Sequence, residues 1–317
     1  MPRQTIPRPI IDLYDAFTHG AMSRRIFLDR LARIAGGAAA ATALLPILAN
    51  DYARAAPLIA EDDKRLDFFT ANFDTGGIVD LIEPEEIVAG GAPNAGVIPT
   101  RHLPFVSAYG VRLKKRGPAP AIVVIHENRG LNPHIRDVAR RIALEGFHVF
   151  AVDMLSPYGG TPADEDKARE MIGKLNPDKT VAKIAEIVKS LALLKTHQRR
   201  VGAVGFCWGG GMVNRLAAAS DALKAGVCYY GRSPSAEEAA MIRARMMMHY
   251  AGNDTRINES VPAYEAALKA ANVDYQAYFY DGVEHAFNND ANAARYNAEA
   301  AALAWGRTIA FFKDALK

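Results

Sequence analysis

The segment Val204–Gly211 constrains the fold of this chain more than any other stretch. It reads V-G-F-C-W-G-G-G, lies between a buried-strand pattern and a helical pattern, and matches G-x-nucleophile-x-G with Cys207 at the centre. A strand that turns abruptly into a helix strains its middle residue, and glycines two positions away avoid a clash. We therefore expect Cys207 at the carboxyl edge of a sheet, facing the amino terminus of the next helix.

The competing interpretation is a buried structural cysteine in the glycine-rich turn of a nucleotide-binding unit. Against it, the glycines follow Cys207 and lack the G-x-G-x-x-G spacing of a dinucleotide site. Cys228 lies inside an apolar run, so we expect it to be a core residue.

From Pro118 onward, short apolar runs alternate with helical patterns, which predicts a mostly parallel central sheet flanked by helices on both faces. The predicted strands are 121–126, 147–153, 200–205, 225–230, 245–251 and 275–280. The predicted helices are 135–145, 163–174, 180–195, one starting near 209, 261–271 and 293–316. Residues 118–317 are predicted to form the catalytic core, and 57–117, which show no sustained period, leading strands or a surface loop.

Two further residues follow later strands in the order that a hydrolase with this turn requires, nucleophile, acid, histidine. Asp254 follows the strand 245–251, and His285 follows the strand 275–280. Either residue alone is more often a turn or solvated loop residue, and their joint placement favours a triad with Cys207. Glu284 is the competing acid, although adjacent loop residues seldom face each other.

The amino-acid composition limits which classes of ligand and partner are expected. The chain has 317 residues, 50% of them hydrophobic, and 38 basic against 35 acidic residues without one-signed runs. One sizeable core and a small-molecule substrate are expected, with no nucleic-acid partner. Two cysteines provide no disulfide framework and no zinc-site spacing, so we expect no metal and no organic cofactor.

Residues 1–56 have the features of a leader. Ser23–Leu28 resembles the twin-arginine export consensus, Ile34–Leu48 is an uncharged apolar stretch, and Ala53–Ala55 offers a small-x-small cleavage pattern. The apolar run is shorter than the roughly 20 residues of a membrane-spanning helix, so no stable membrane anchor is expected. The prediction is periplasmic export through the twin-arginine machinery. The alternative is a cytoplasmic protein in which Ile10–Leu48 packs on the domain as amphipathic helices.

Four blocks in order resemble the dienelactone hydrolase family, from about Pro118 to the C-terminus. They are H-E-N-R-G at 126–130, G-F-C-W-G-G at 205–210, the turn at Asp254 and E-H-A-F at 284–287. The resemblance implies an α/β-hydrolase fold, Glu127 as a local base for the cysteine, and an oxyanion hole made by the backbone N–H groups of Asn128 and Trp208. The alternative for Glu127 is a loop salt bridge with Arg129 or Arg136.

The chain also departs from the prototype enzymes of that family, which hold a substrate carboxylate with arginines after the second strand and just past the histidine. Neither 153–158 nor 287–290 contains an arginine here, which weakens the expectation of an anionic lactone. The candidate substrate contacts are Arg129, Tyr158 and Arg232, with Arg256 at the same sheet edge.

The sequence thus predicts a hydrolase that cleaves a small ester or lactone through a cysteine acyl-enzyme. Two alternatives remain at this stage. One is a hydrolase of an aryl ester or thioester, and the other is a non-catalytic binding protein on the same fold.

Overall fold

The computed structural model describes residues 6–20, 22–52, 57–76, 105–115 and 117–317. Eight strands form one sheet: β1 (Leu66–Asp74), β2 (Phe105–Leu113), β3 (Ala121–Ile125), β4 (His148–Asp153), β5 (Val201–Phe206), β6 (Leu223–Tyr229), β7 (Arg245–Ala251) and β8 (Tyr275–Tyr280). Their spatial order is β1-β2-β4-β3-β5-β6-β7-β8. β1 and β2 pair antiparallel and β2 pairs antiparallel with β4, while every pair from β4 to β8 is parallel.

The described helices are α1 (Arg8–His19), α2 (Arg24–Ala35), α3 (Ala38–Leu48), α4 (Pro133–Leu144), α5 (Glu165–Lys174), α6 (Pro177–Leu193), α7 (Trp208–Ala219), α8 (Ala236–Met241), α9 (Thr255–Asn258), α10 (Val261–Ala270) and α11 (Ala298–Ala315). Short 3₁₀ turns occur at Ser156–Tyr158 and Lys195–His197. The last helix begins five residues later than predicted, because the side chain of Asn297 caps it by accepting a hydrogen bond from the backbone N–H of Ala300 at 3.0 Å.

Helices cover both faces of the sheet, and each face has its own apolar core. One core joins the sheet to α5, α6, α7 and α10, and the other joins it to α4 and α11. Strands covered on both faces are apolar throughout, which is why every residue of β3 and β5 is buried. The predicted α/β-hydrolase architecture, a mostly parallel sheet between two helical layers, is confirmed.

The region 57–117, predicted as leading strands or a surface loop, contributes the two antiparallel edge strands. The sheet therefore begins at Leu66, upstream of the predicted core boundary at Pro118. Phe69–Asp74 of β1 alternate between apolar and polar residues, a strand signal that sequence reasoning missed, and only Leu66 of this edge strand is fully buried.

The N-terminal segment, defined here as residues 6–52, folds into α1, α2 and α3. Its apolar side chains, among them Tyr14, Phe17, Phe27 and Leu31, form a cluster of their own that also touches Ala294. No single described helix is both long and apolar enough to cross a membrane; α2 and α3 meet the length and composition limits only together, and they are bent by 111°. The cleavage pattern at 53–55 lies outside the described residues.

Candidate active site

Cys207 occupies the sharp turn between β5 and α7. Its backbone has φ 53° and ψ −112°, a strained conformation for a residue with a side chain. A Cβ on Gly205 would lie 2.1 Å from the carbonyl oxygen of Gly209, so the turn excludes a side chain at that position. The geometry expected from the sequence is present, and the thiol lies at the carboxyl edge of the sheet.

His285 and Asp254 meet at the same edge because they follow neighbouring parallel strands, β8 and β7. His285 Nδ1 and Asp254 Oδ2 are 2.5 Å apart, and both side chains are almost completely buried. The possible ligand atoms of His285, Cys207 and His19 all lie within 4.8 Å of one another. The structure therefore brings the three predicted residues together.

Electrostatics favour the charged forms of the histidine and the carboxylate. Burial alone would lower the pKa of His285, but the Asp254 carboxylate and Cys207 outweigh it and raise that pKa to about 10. Burial would raise the pKa of Asp254, yet its contact with His285 lowers it. The pair can thus hold an imidazolium beside the Cys207 sulfur.

Glu284, the competing acid, faces away from this pair. Its carboxylate accepts hydrogen bonds from Arg8 at 2.8 Å and 2.9 Å and from the side chain of Asn253 at 2.7 Å. Asp254 is therefore the carboxylate that orients His285.

Glu127 is buried beside the thiol and accepts hydrogen bonds from two uncharged side chains. Its Oε2 accepts from Asn289 Nδ2 at 2.8 Å, and its Oε1 accepts from the hydroxyl of Tyr230 at 3.4 Å. The alternative of a salt bridge with Arg129 or Arg136 does not occur among the described contacts. Burial, followed by the nearby charges of Glu127 and Cys207, raises the pKa of Tyr230 well above its usual value, so its hydroxyl remains a donor.

The predicted oxyanion residues flank the nucleophile. Trp208 is the first residue of α7, where a backbone N–H has no partner within the helix. Asn128 follows Glu127 and lines the space beside Cys207, and its side-chain amide donates to the carbonyl of Thr18 at 2.7 Å.

The three candidate substrate contacts lie in different surroundings in the structure. Arg232 is exposed and lines a groove beside Cys207. Arg129 is buried and its Nη1 lies 3.2 Å from Asp166 Oδ1, so its guanidinium is already paired with an acidic side chain. The prediction for Tyr158 is wrong: its ring packs in the core and its hydroxyl accepts from Lys183 Nζ at 3.3 Å, because the turn at Ser156–Tyr158 directs it toward α6.

Sequence reasoning missed Arg295. It lies ten residues past His285, outside the short window searched for an arginine, and its side chain lines the space beside Cys207. Its Nη1 donates to Asp15 Oδ1 at 2.7 Å, and the guanidinium lies 5.1 Å from the centre of the Tyr14 ring. An arginine is thus present near Cys207, but a carboxylate of α1 already pairs with it.

Sequence reasoning also missed His19, the last residue of α1. His19 Nε2 lies 3.2 Å from Cys207 Sγ, and its ring meets the ring of His285 edge-on at 4.5 Å between centroids. Burial, then the charges of His285, Arg256 and Arg295, lower the pKa of His19 well below its usual value. The ring is therefore a neutral imidazole. No local sequence signal places residue 19 at this site, because the contact depends on how α1 packs.

The N-terminal segment is fixed to the domain around the site by polar contacts. Arg24 of the twin-arginine motif pairs with Asp166 at 2.5 Å, and Arg169 donates to the carbonyl of Phe17 at 2.7 Å. Asn292 donates to the carbonyl of Leu48 at 2.9 Å. The segment thus packs beside Cys207, as in the alternative interpretation of packed helices, and export remains a prediction.

Two spaces adjoin Cys207. A cavity of about 20 Å³, enough for one water molecule, lies between the thiol, His19, Glu127 and Arg295. A groove of about 1200 Å³ also reaches Cys207 and His285, between Gly20, Met22–Arg24, α5 and α7. A substrate can reach the sulfur along this groove while α1 stays in place.

The attachment of α1 makes a testable prediction. Replacing Asp15 by asparagine removes the carboxylate from the buried Arg295 and is expected to lower the free energy of unfolding by about 2 kcal/mol. The matched control is Asp12→Asn on the same helix, whose pair with Arg8 is exposed and should contribute less than about 1 kcal/mol. Chemical denaturation measures the free energy of unfolding of both variants. Equal decreases would show that the buried Asp15–Arg295 pair stabilises the protein no more than the exposed Arg8–Asp12 pair does.

Cys207 lies in a strained turn, and an acid and a histidine follow the next strands of a mostly parallel sheet that has eight described strands. This arrangement defines the chain as an α/β-hydrolase. The sequence model of the Dienelactone hydrolase family matches residues 106–316. The chain belongs to the dienelactone hydrolase family, and it is an enzyme of the carboxylic ester hydrolase class. A second model, described as YqhI-like, matches residues 1–37.

Individual relatives agree with this assignment. A protein of Escherichia coli (strain K12) named "Putative carboxymethylenebutenolidase" is 31% identical over 222 residues, 65% of this chain and 82% of that protein. One of the same name from Methylorubrum extorquens is 30% identical over 66% of this chain and 77% of its own length. The crystal structure titled "Putative Dienelactone Hydrolase" from Klebsiella pneumoniae superposes with a TM-score of 0.60 at 25% identity, covering 78% of this chain and 99% of that one.

Proposed function

We propose that this enzyme hydrolyses a small ester or lactone through a covalent acyl-enzyme on Cys207. The observation that carries the proposal is the sulfur at the strained turn, close to a buried His285 that is hydrogen-bonded to Asp254. A nucleophile, a base and a group that orients the base are the three parts that acyl transfer requires.

In the proposed reaction the Cys207 thiol gives its proton to His285, the sulfur attacks the carbonyl carbon, and the carbonyl oxygen becomes an oxyanion. The backbone N–H groups of Asn128 and Trp208 would stabilise that oxyanion. The carbon–oxygen bond then breaks, and His285 gives its proton to the leaving alkoxide. His285 next takes a proton from a water molecule, whose oxygen bonds to the acyl carbon. The carbon–sulfur bond then breaks, the acid leaves, and His285 returns the proton to the sulfur.

Glu127 would act as a local base only after a rearrangement. In the structure its carboxylate is held by Asn289 and Tyr230 and does not accept from the thiol. A substrate that displaced either donor would free the carboxylate, in keeping with the role that the family resemblance implies.

The arginine side chains near Cys207 indicate which substrates the groove can bind. Arg232 and Arg256 lie along it, and Arg232 makes no ion pair with any described residue. Arg129 and Arg295, by contrast, are already paired with acidic groups. We propose a neutral or singly charged ester whose polar end extends toward Arg232, with aryl esters and thioesters as the alternative acyl substrates.

The test is a panel of esters, lactones and thioesters, each with and without a carboxylate, assayed on the wild-type enzyme. Cys207→Ala should lose hydrolysis of every substrate, and Cys228→Ala, which alters a buried thiol in β6, should retain it. Hydrolysis that survives Cys207→Ala would overturn the proposal. Absence of turnover across the panel, with no covalent labelling of Cys207, would favour a binding protein instead.

A further inference from the structure

We propose that His19, Cys207 and His285 form a binding site for a thiophilic divalent metal ion, Zn²⁺ foremost, that blocks the nucleophile when it is occupied. The three ligands come from α1, the turn before α7 and the loop after β8. The expectation of no metal site rested on cysteine spacing, which cannot detect ligands so far apart along the chain. Metal binding does not depend on hydrolysis, and only the blocking effect rests on the proposed function.

The first support is the type and distance of the donor atoms. One sulfur and two imidazoles are ligands that Zn²⁺ prefers, and two ligands of a tetrahedral site with ordinary Zn–S and Zn–N bonds lie about 3.5 Å apart. Here His19 Nε2 is 3.2 Å from Cys207 Sγ, and all three donor atoms lie within 4.8 Å of one another. Small side-chain adjustments would bring them to one ion.

The second support is the orientation of the two rings. A histidine that binds metal usually donates its other ring N–H to a carboxylate or a backbone carbonyl, which fixes the ring. His285 Nδ1 pairs with Asp254, and His19 Nδ1 lies 3.0 Å from the carbonyl oxygen of Asp15. Both rings therefore direct Nε2 toward the sulfur. His285 Nε2 is buried and has no hydrogen-bond partner among the described residues.

The third support is the surroundings of the three ligands. The adjoining cavity of about 20 Å³ has room for one water molecule, which could serve as a fourth ligand. The carboxyl group of Glu127 is buried in the wall of the same cavity. The nearby cations Arg295 and Arg129 are paired with Asp15 and Asp166, which reduces their repulsion of an incoming ion. Binding would also tie α1 to the domain.

The test is anaerobic titration of the full chain, stripped with a chelator, with Co²⁺ as an optical probe of the site. The wild-type chain should bind one Co²⁺ with a thiolate-to-cobalt charge-transfer absorption. His19→Ala and His19→Gln should each weaken binding at least about tenfold, since loss of even an outer partner of a metal site costs that much. Cys207→Ala should abolish the absorption.

Two variants serve as controls. Cys228→Ala removes the other thiol, and His197→Asn removes a histidine at the opposite edge of the sheet, before β5; both should bind Co²⁺ as the wild type does. Circular dichroism confirms that each variant is folded. Wild-type chain without the charge-transfer absorption, or equal affinity in both folded His19 variants, would overturn the proposal. Cobalt binding is measured by absorption and not by activity, so metal binding can be established even if the proposed hydrolysis is not observed.

Discussion

Replacing Asp254 by asparagine is expected to lower kcat/KM for ester hydrolysis by about four orders of magnitude. The carboxylate accepts the hydrogen bond from His285 Nδ1, which keeps Nε2 free to exchange a proton with the sulfur and the leaving group. An asparagine amide would donate to Nδ1 and favour the wrong tautomer. The comparison requires steady-state kinetics with one activated ester on both proteins.

The matched control is Glu284→Gln, which alters the acidic residue next to His285. Glu284 interacts with Arg8 and Asn253 rather than with the imidazole, so kcat/KM should change less than about threefold, as expected for the loss of a partly exposed ion pair. A large loss in Glu284→Gln together with a small loss in Asp254→Asn would reverse the two roles.

Replacing Gly209 by alanine is expected to lower the free energy of unfolding by about 3 kcal/mol or more. A Cβ at this position would lie 2.4 Å from the carbonyl oxygen of Ile125 and 2.5 Å from that of His126. These are backbone atoms of β3 and the loop after it, and they cannot rotate away as a side chain can. α7 would have to move off the sheet, and the nucleophile would move with it.

Gly211→Ala, two residues further along α7, is the control. Its Cβ would meet no atom closer than 3.5 Å, and alanine favours a helix over glycine by up to about 1 kcal/mol. Denaturant unfolding should therefore give equal or higher stability for Gly211→Ala. Equal destabilisation in both variants would mean that the contact between Gly209 and β3 does not limit the turn.

The parallel half of the fold could be predicted from the sequence because buried strands leave a local signal. β7 and β8 have the predicted bounds, and the turn at Cys207 follows from the steric requirement for small neighbours. The positions of Asp254 and His285 followed from one rule, that the ends of parallel strands share an edge. These inferences needed only short stretches of chain.

The rest of the site depends on long-range packing, which local patterns do not record. His19 and Asp15 reach the nucleophile because α1 docks on the domain, and Arg295 reaches it from a loop with no motif. Tyr158 failed as a candidate for a related reason, since a 3₁₀ turn decides which way its ring faces. A segment with the composition of a leader can also provide a wall of the site.

The most direct test of the central claim, that Cys207 is the covalent nucleophile, is a rapid-quench experiment with an activated aryl ester. The account predicts a burst of phenolate close to one per chain and a peptide that contains Cys207 with the mass of the acyl group added. A burst that persists in Cys207→Ala, or an acyl group on any other residue, would contradict it.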